Sequence, residues 1–234
     1  MELPATYWEM VRQQTEPNDL MKFTLIYDGD LASSGNRPKP FEASKIRNAF
    51  HDQLADLWDS HVILRQLART ARRVPGAGYL LVGREALPDY RGPIPPLNDG
   101  EVDLCGPIAV PDVGGFIPLV RNSLHLACAL DILFLRHEEP LALMKSGGDL
   151  DGRIATLFDA LRMPDPKHEY RGETPTSDPL YVVLEDDVLI SDLSVKTGRL
   201  LGVRTSKPHA VRLTIDVTVK VLRVTDINEC LIGG

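Results

Sequence analysis

Apolar and polar positions alternate most regularly near the end of the chain. Val211, Leu213, Ile215, Val217, Val219 and Val221 interleave with Arg212, Thr214, Asp216, Thr218 and Lys220, the period of two that marks a strand buried on one face. A second alternation runs from Leu124 to Leu135, where both sets become apolar toward the end. That pattern predicts a long strand placed centrally in its sheet. Shorter β-rich runs at Lys22–Tyr27 and Leu180–Leu184 add two more strands, and Val188, Ile190 and Leu193 suggest extended chain beyond the second. Helical spacing appears over about Glu42–Asp59, where Ile46, Ala49, Phe50, Leu54, Leu57 and Trp58 recur at three and four. Another helix is expected from about Gly152 to Arg162, stopped by Pro164.

Two stretches depart from these periods. His61–Arg73 reads as a helix with Ile63, Leu67 and Ala71 on one side and Arg65, Arg69, Arg72 and Arg73 on the other. Such a face is either a track for phosphates or simply a solvated surface. Residues 74–118 hold sixteen Gly or Pro in 45 positions, which predicts an irregular insertion with one short strand near Tyr79–Val82. The elements together predict an α/β (α+β) fold, a small mixed sheet with helices packed on one side. Residues 1–21 form a peripheral N-terminal segment and 22–234 a single domain carrying that Gly/Pro-rich insertion.

Composition adds limits. With 43% apolar and 25% charged residues the chain reads as an ordered globule. No apolar stretch approaches the ~20 residues of a membrane span, and no secretory leader is read at the N-terminus. Cys105, Cys128 and Cys230 are too few and too scattered for a zinc set or a disulfide framework, so a cytoplasmic setting is expected. The net charge of −7 is concentrated: Asp149, Asp151, Glu185, Asp186 and Asp187 supply five of those charges. Clustered carboxylates repel unless a proton, a base or a cation compensates them. The acidic balance therefore points to a metal site.

If Asp149-Leu150-Asp151 is extended, both carboxylates lie on one side, within reach of one cation. The helix that follows turns its positive end toward the same place. Asp186 and Asp187 close a strand and point to opposite faces, so one of them is expected to join the first pair. Three carboxylates without His or Cys form an oxygen-only site suited to Mg²⁺ or Mn²⁺. Each motif alone has a plain structural explanation, a helix-capping Asp for the first and a loop edge for the second. Other signals are weaker. The segment after Asp151 lacks the remaining ligands of a calcium loop, and His137 beside Glu138 and Glu139 matches no metalloprotease spacing. Ser33-Ser34 has no base in view, and Trp58 belongs to a helical stripe. Gly147-Gly148 adjoins the Asp pair directly, whereas nucleotidyltransferases place such glycines well ahead of it.

The strings GDLDGRIATLFDAL (148–161) and LEDDVLI (184–190) resemble the signature of the RusA-like Holliday junction resolvases. That family has an Asp-x-Asp ahead of a helix containing Asp-Ala-Leu, then a strand ending in Asp-Asp. The resemblance extends to element order over roughly 22–60 and 123–222, including a polar loop with Ser33, Ser34, Asn36 and Arg37. It implies a homodimer that cuts four-way or other branched DNA with a divalent metal. The family's catalytic aspartates fall on Asp149, Asp151 and Asp187, with Asp186 adjacent as a further metal ligand, while Asp159 is either structural or a support behind the metal ligands. The chain departs at Gly152, where Asn is usual, and at Ala155, where a Lys is usual; Lys145 and Arg153 are the candidates to replace that lysine. Arg37, Lys39, Lys45, Arg65 and Arg69 are candidates to grip the DNA backbone. The alternative is a relative that keeps the fold and binds DNA or a protein without hydrolysis.

Overall fold

The computed structural model describes residues 21–31, 39–74, 78–80, 96–97, 99–137, 150–165, 175–201, 210–225 and 227–232. The N-terminal segment 1–20 and the loop holding Arg37 lie outside the described residues, as do Lys145 and Asp149.

Four strands form the main sheet: β1 (Lys22–Asp30), β7 (Leu126–Arg136), β9 (Ile190–Arg199) and β10 (Ala210–Val221). Their order is β1-β10-β7-β9, antiparallel at the first two junctions and parallel between β7 and β9. The sheet is thus mixed, and β7 is an inner strand. One face is apolar throughout: Leu25 and Tyr27 lie beside Leu213, Ile215 and Val217, then Leu130, Ile132 and Phe134, all buried. Period two sets this, since each strand directs alternate residues inward.

Helix α1 (Lys39–Ser60) contributes Ala43, Ile46, Phe50, Leu54 and Trp58 to the same core. Phe50 meets Tyr27 edge-on with ring centres 6.1 Å apart. Ala49, expected within the buried stripe, is exposed, and Arg47 is buried. Gln53 serves the edge of β1: its Oε1 accepts from the Ile26 N–H at 3.0 Å, and its Nε2 donates to the Ile26 carbonyl at 2.8 Å. A side-chain amide there does what a neighbouring strand would do.

Helix α2 (Val62–Thr70) stops earlier than the sequence pattern suggests, and the arginine face dissolves with it. Arg72 and Arg73 belong instead to strand β2 (Arg72–Val74). Arg72 is 2% exposed; its Nη1 donates to the Pro96 carbonyl at 2.8 Å and pairs with the buried Glu101 at 3.3 Å. Arg69 is buried as well.

The described part of 74–118 is more ordered than its Gly/Pro content implies. It supplies β3 (Gly78–Leu80), β4 (Val102–Asp103), β5 (Ile108–Val110) and β6 (Gly114–Val120). Strands β3-β2-β4 form one small sheet. Strand β6 pairs with β5 and, in parallel, with β8 (Leu180–Leu184), so the insertion is woven into the strand that ends at the second acidic cluster. Phe116, Leu119 and Val120 are buried. Gly115 fits here because a Cβ would lie 3.0 Å from Asp178 Oδ1, the atom that accepts the Gly115 N–H at 2.9 Å.

The architecture is mixed α+β, and among the described residues no helix is long and apolar enough to cross a membrane. The outer face of the main sheet carries exposed Ile26 and Leu133 among charged residues that pair with one another. Lys196 meets Asp131, Lys220 meets Asp192, Arg212 meets Asp28, and Thr24 donates to Asp216. Cross-strand neighbours produce this arrangement: Asp28 faces Arg212 in register, and Thr24 faces Asp216.

Candidate functional site

The second acidic cluster is built where three segments converge. Helix α3 (Leu150–Leu161) ends beside the last residue of β8: Arg162 bridges to Leu184, and the Met163 N–H donates to the Leu184 carbonyl at 3.0 Å. On the other side of β8, the Glu185 N–H donates to the Val120 carbonyl at 2.9 Å. The Glu185 carboxylate accepts the Asn122 N–H at 2.7 Å, so it serves the end of β6.

Beyond Glu185 the chain does not continue as a plain strand. Asp186 is extended (φ −152°, ψ 150°), and its Oδ1 accepts the Val188 N–H at 3.0 Å, capping a single 3₁₀ turn over Asp187–Leu189. The turn overrides the strand alternation expected for Asp186 and Asp187. The two acids are thus adjacent members of a turn and not alternating members of a strand.

Asp187 is 44% exposed and lies against the far end of α3, with its Oδ2 3.8 Å from Arg162 Nε. Arg162 Nη2 also holds Asp159 Oδ1 at 3.0 Å. Burial pushes the Asp187 carboxyl above the usual carboxylate range. The hydrogen bond with Asp186 and the charges of Asp186 and Asp159 push the same way, against the pull of Arg162. Arg47 secures the platform from below, donating to the carbonyls of Asp159 and Arg162. The last carbonyls of a helix have no partner inside it, and a guanidinium from α1 supplies one here.

The Asp-x-Asp motif sits elsewhere. Asp151 is exposed in the first turn of α3, within the helix and not in an extended segment. An acid in that position is favourable beside the helix's positive end, without any metal. Asp159, the neighbour of Asp187, lies eight residues further along, and at ~1.5 Å per residue roughly 12 Å of helix separates the two. A cation binds carboxylate oxygens at about 2.0–2.6 Å, so Asp151 and Asp187 do not share one in this arrangement. The expected three-acid centre is therefore not assembled by its described members. Among the described residues, no group of three or more His, Cys, Asp or Glu is placed to hold a metal. The Asp186–Asp187 pair by itself fits a hydrated Mg²⁺ or Mn²⁺, which binds through one or two carboxylates and keeps several waters.

The basic candidates separate clearly. Lys45 is exposed on α1, and Lys39 opens the same helix. Arg65 is 20% exposed and bonded to Asp59, through both carboxylate and carbonyl. Arg69 and Arg153 are 6% and 2% exposed. Arg153 donates to the Leu31 carbonyl, so it neither reaches a phosphate outside nor stands in for a lysine at position 155. Neither Arg69 nor Arg153 offers a guanidinium to DNA, because protein encloses both. Arg162 and Arg47 were not singled out by the sequence. Position 162 lies seven residues beyond Ala155 on one helix face, a spacing that was there to be read.

The Asp187 environment yields a stability prediction. A carboxyl raised in the folded state contributes fully below its unfolded value, and that contribution is lost as pH rises through the folded value. Asp187→Asn should therefore be more stable than the parent at about pH 7 in chelator, and the gain should vanish near about pH 3. Urea midpoints at both pH values test this; an equal shift at both would contradict it.

Comparison of the chain with family models, with curated proteins and with solved structures returned no match.

Proposed function

We propose that this protein is a RusA-like, Mg²⁺-dependent, structure-selective endonuclease acting on Holliday junctions or other branched DNA, with its catalytic centre at the Asp186–Asp187 end of α3. The observation that carries this reading is the carboxylate pair itself. It is partly open to solvent, stands next to a third acid at Asp159, and is strained toward protonation. Carboxylates held together against their repulsion form a place where a divalent cation is favoured. The two acidic strings, on a helix and at a strand end, support the assignment of branched DNA as substrate. Bound there, Mg²⁺ or Mn²⁺ would supply Lewis-acid charge to a phosphodiester. Asp186 and Asp187 would hold the ion, Arg162 would balance the remaining charge, and Lys45 on α1 is a contact for the DNA backbone.

A non-hydrolysing DNA- or protein-binding module is the second reading. The observation favouring it is the separation of Asp151 from Asp187, with an arginine already beside the latter.

Synthetic four-way junctions incubated with the purified protein and Mg²⁺ decide between them. The nuclease reading expects cleavage by the parent and a loss on the order of 100-fold or more in Asp187→Asn. Asp149→Asn and Asp151→Asn assign the other motif: loss of cleavage in these variants places their end of α3 in the catalytic centre as well. Junction binding without cleavage under either Mg²⁺ or Mn²⁺ establishes the second reading.

A further inference from the structure

We propose that Arg162 is the positioning residue of this centre, the cation that fixes the Asp187 carboxylate for catalysis; the inference rests on the nuclease reading. The guanidinium is used in three directions. Nε faces Asp187 Oδ2 at 3.8 Å, Nη2 binds Asp159 Oδ1 at 3.0 Å, and Nη1 donates to the Met163 carbonyl at 3.1 Å. Two hydrogen bonds hold the planar fork, while Nε, in no hydrogen bond itself, stays at ion-pair range of Asp187. The group thus has little freedom to swing away, in contrast to a lysine on a surface helix.

The backbone beneath it is fixed too. Arg47, 6% exposed, donates to the Arg162 carbonyl at 3.0 Å and to the Asp159 carbonyl. Strand β8 closes the other side through the Met163–Leu184 hydrogen bond. Two elements distant in sequence, the end of α3 and the turn after β8, are thereby joined through one side chain.

Helix geometry gives an independent reason. The Arg162 N–H donates to the Phe158 carbonyl at 3.2 Å, so residue 162 continues the spacing of α3 past its last residue. Residues 155, 159 and 162 therefore recur at four and three on one face. Ala155 contributes no charge to that face, and Asp159 contributes a negative one. Arg162 is the cation that this face directs at the acid pair. Without it Asp187 would face the repulsion of Asp186 and Asp159 unopposed.

The test compares Arg162→Gln and Arg162→Lys with the parent on a four-way junction in Mg²⁺, separating kcat from KM. Arg162→Gln should lower kcat on the order of 100-fold with KM for the junction nearly unchanged, and Arg162→Lys should recover only a small part of the loss, since one ammonium cannot reproduce the fork. Parent-like kcat in Arg162→Gln, or a change confined to KM, overturns the inference while leaving the nuclease reading intact. If the parent itself is inert, the nuclease reading fails, and the contact is judged by denaturation midpoints. Arg162→Gln, Asp187→Asn and their double variant should then shift the midpoint non-additively; additive shifts overturn the positioning role.

Discussion

Replacing Glu101 with alanine is expected to cost about 3–5 kcal/mol of folding stability. Glu101 faces Arg72 with side-chain exposures of 4% and 2%, and the separation is 3.3 Å. Removing one member of such a pair leaves the other charge buried against its surroundings, and that penalty exceeds the net value of the pair itself. At ~2–4 °C per kcal/mol for a chain of this size, the melting temperature should fall by roughly 6–20 °C. Replacing both partners with apolar residues of similar volume should recover much of the loss, because no charge is then stranded. Thermal and urea denaturation of the single and double variants measures both effects. A single-variant loss below about 1 kcal/mol would show that the pair is solvated, as surface pairs are.

Phe134→Ala should cost a similar amount, about 3–5 kcal/mol, by a different route. Phe134 is fully buried on β7, between Leu213 of β10 and Thr197 of β9 in register. The phenyl ring fills space that flanking strands cannot close, since their spacing is set by backbone hydrogen bonds on both sides. The cost is therefore lost burial plus the cavity left behind. Phe134→Leu should be milder, within about 1.5 kcal/mol, as it conserves more of the volume. Urea denaturation curves with unchanged slopes would confirm that both effects lie in the folded core.

These two sites also mark how far the sequence can be read. The β7 and β10 strands were legible because their information is local: residues two apart share a face, whatever the rest of the chain does. Arg72 was misplaced because its determinant is not local. Its partners, Pro96 and Glu101, lie 24 and 29 residues further on, and helical spacing cannot register them. Strand β6 was hidden for the same reason. Its Gly-Gly and Pro suggest irregular chain, yet it pairs in parallel with β8 more than 60 positions away. At the acid cluster, Asp186 turns its side chain back to the Val188 N–H and starts a 3₁₀ turn at Asp187. A strand alternation read through Asp186 cannot foresee that turn. The position of α3 was read to within two residues, and those two decided that Asp151 belongs to the helix.

The outer face of the main sheet carries a consequence for how a polyanion approaches. Lys196, Lys220 and Arg212 are already matched to aspartates on the adjoining strands, and Lys22 offsets Asp216, so the surface is close to electrical neutrality over that area. A nucleic acid settling there would release few of its condensed counterions, and that release is the main source of salt-dependent attraction. On the proposed nuclease reading, a phosphate chain is therefore expected on another part of the surface, where Lys45 is exposed on α1.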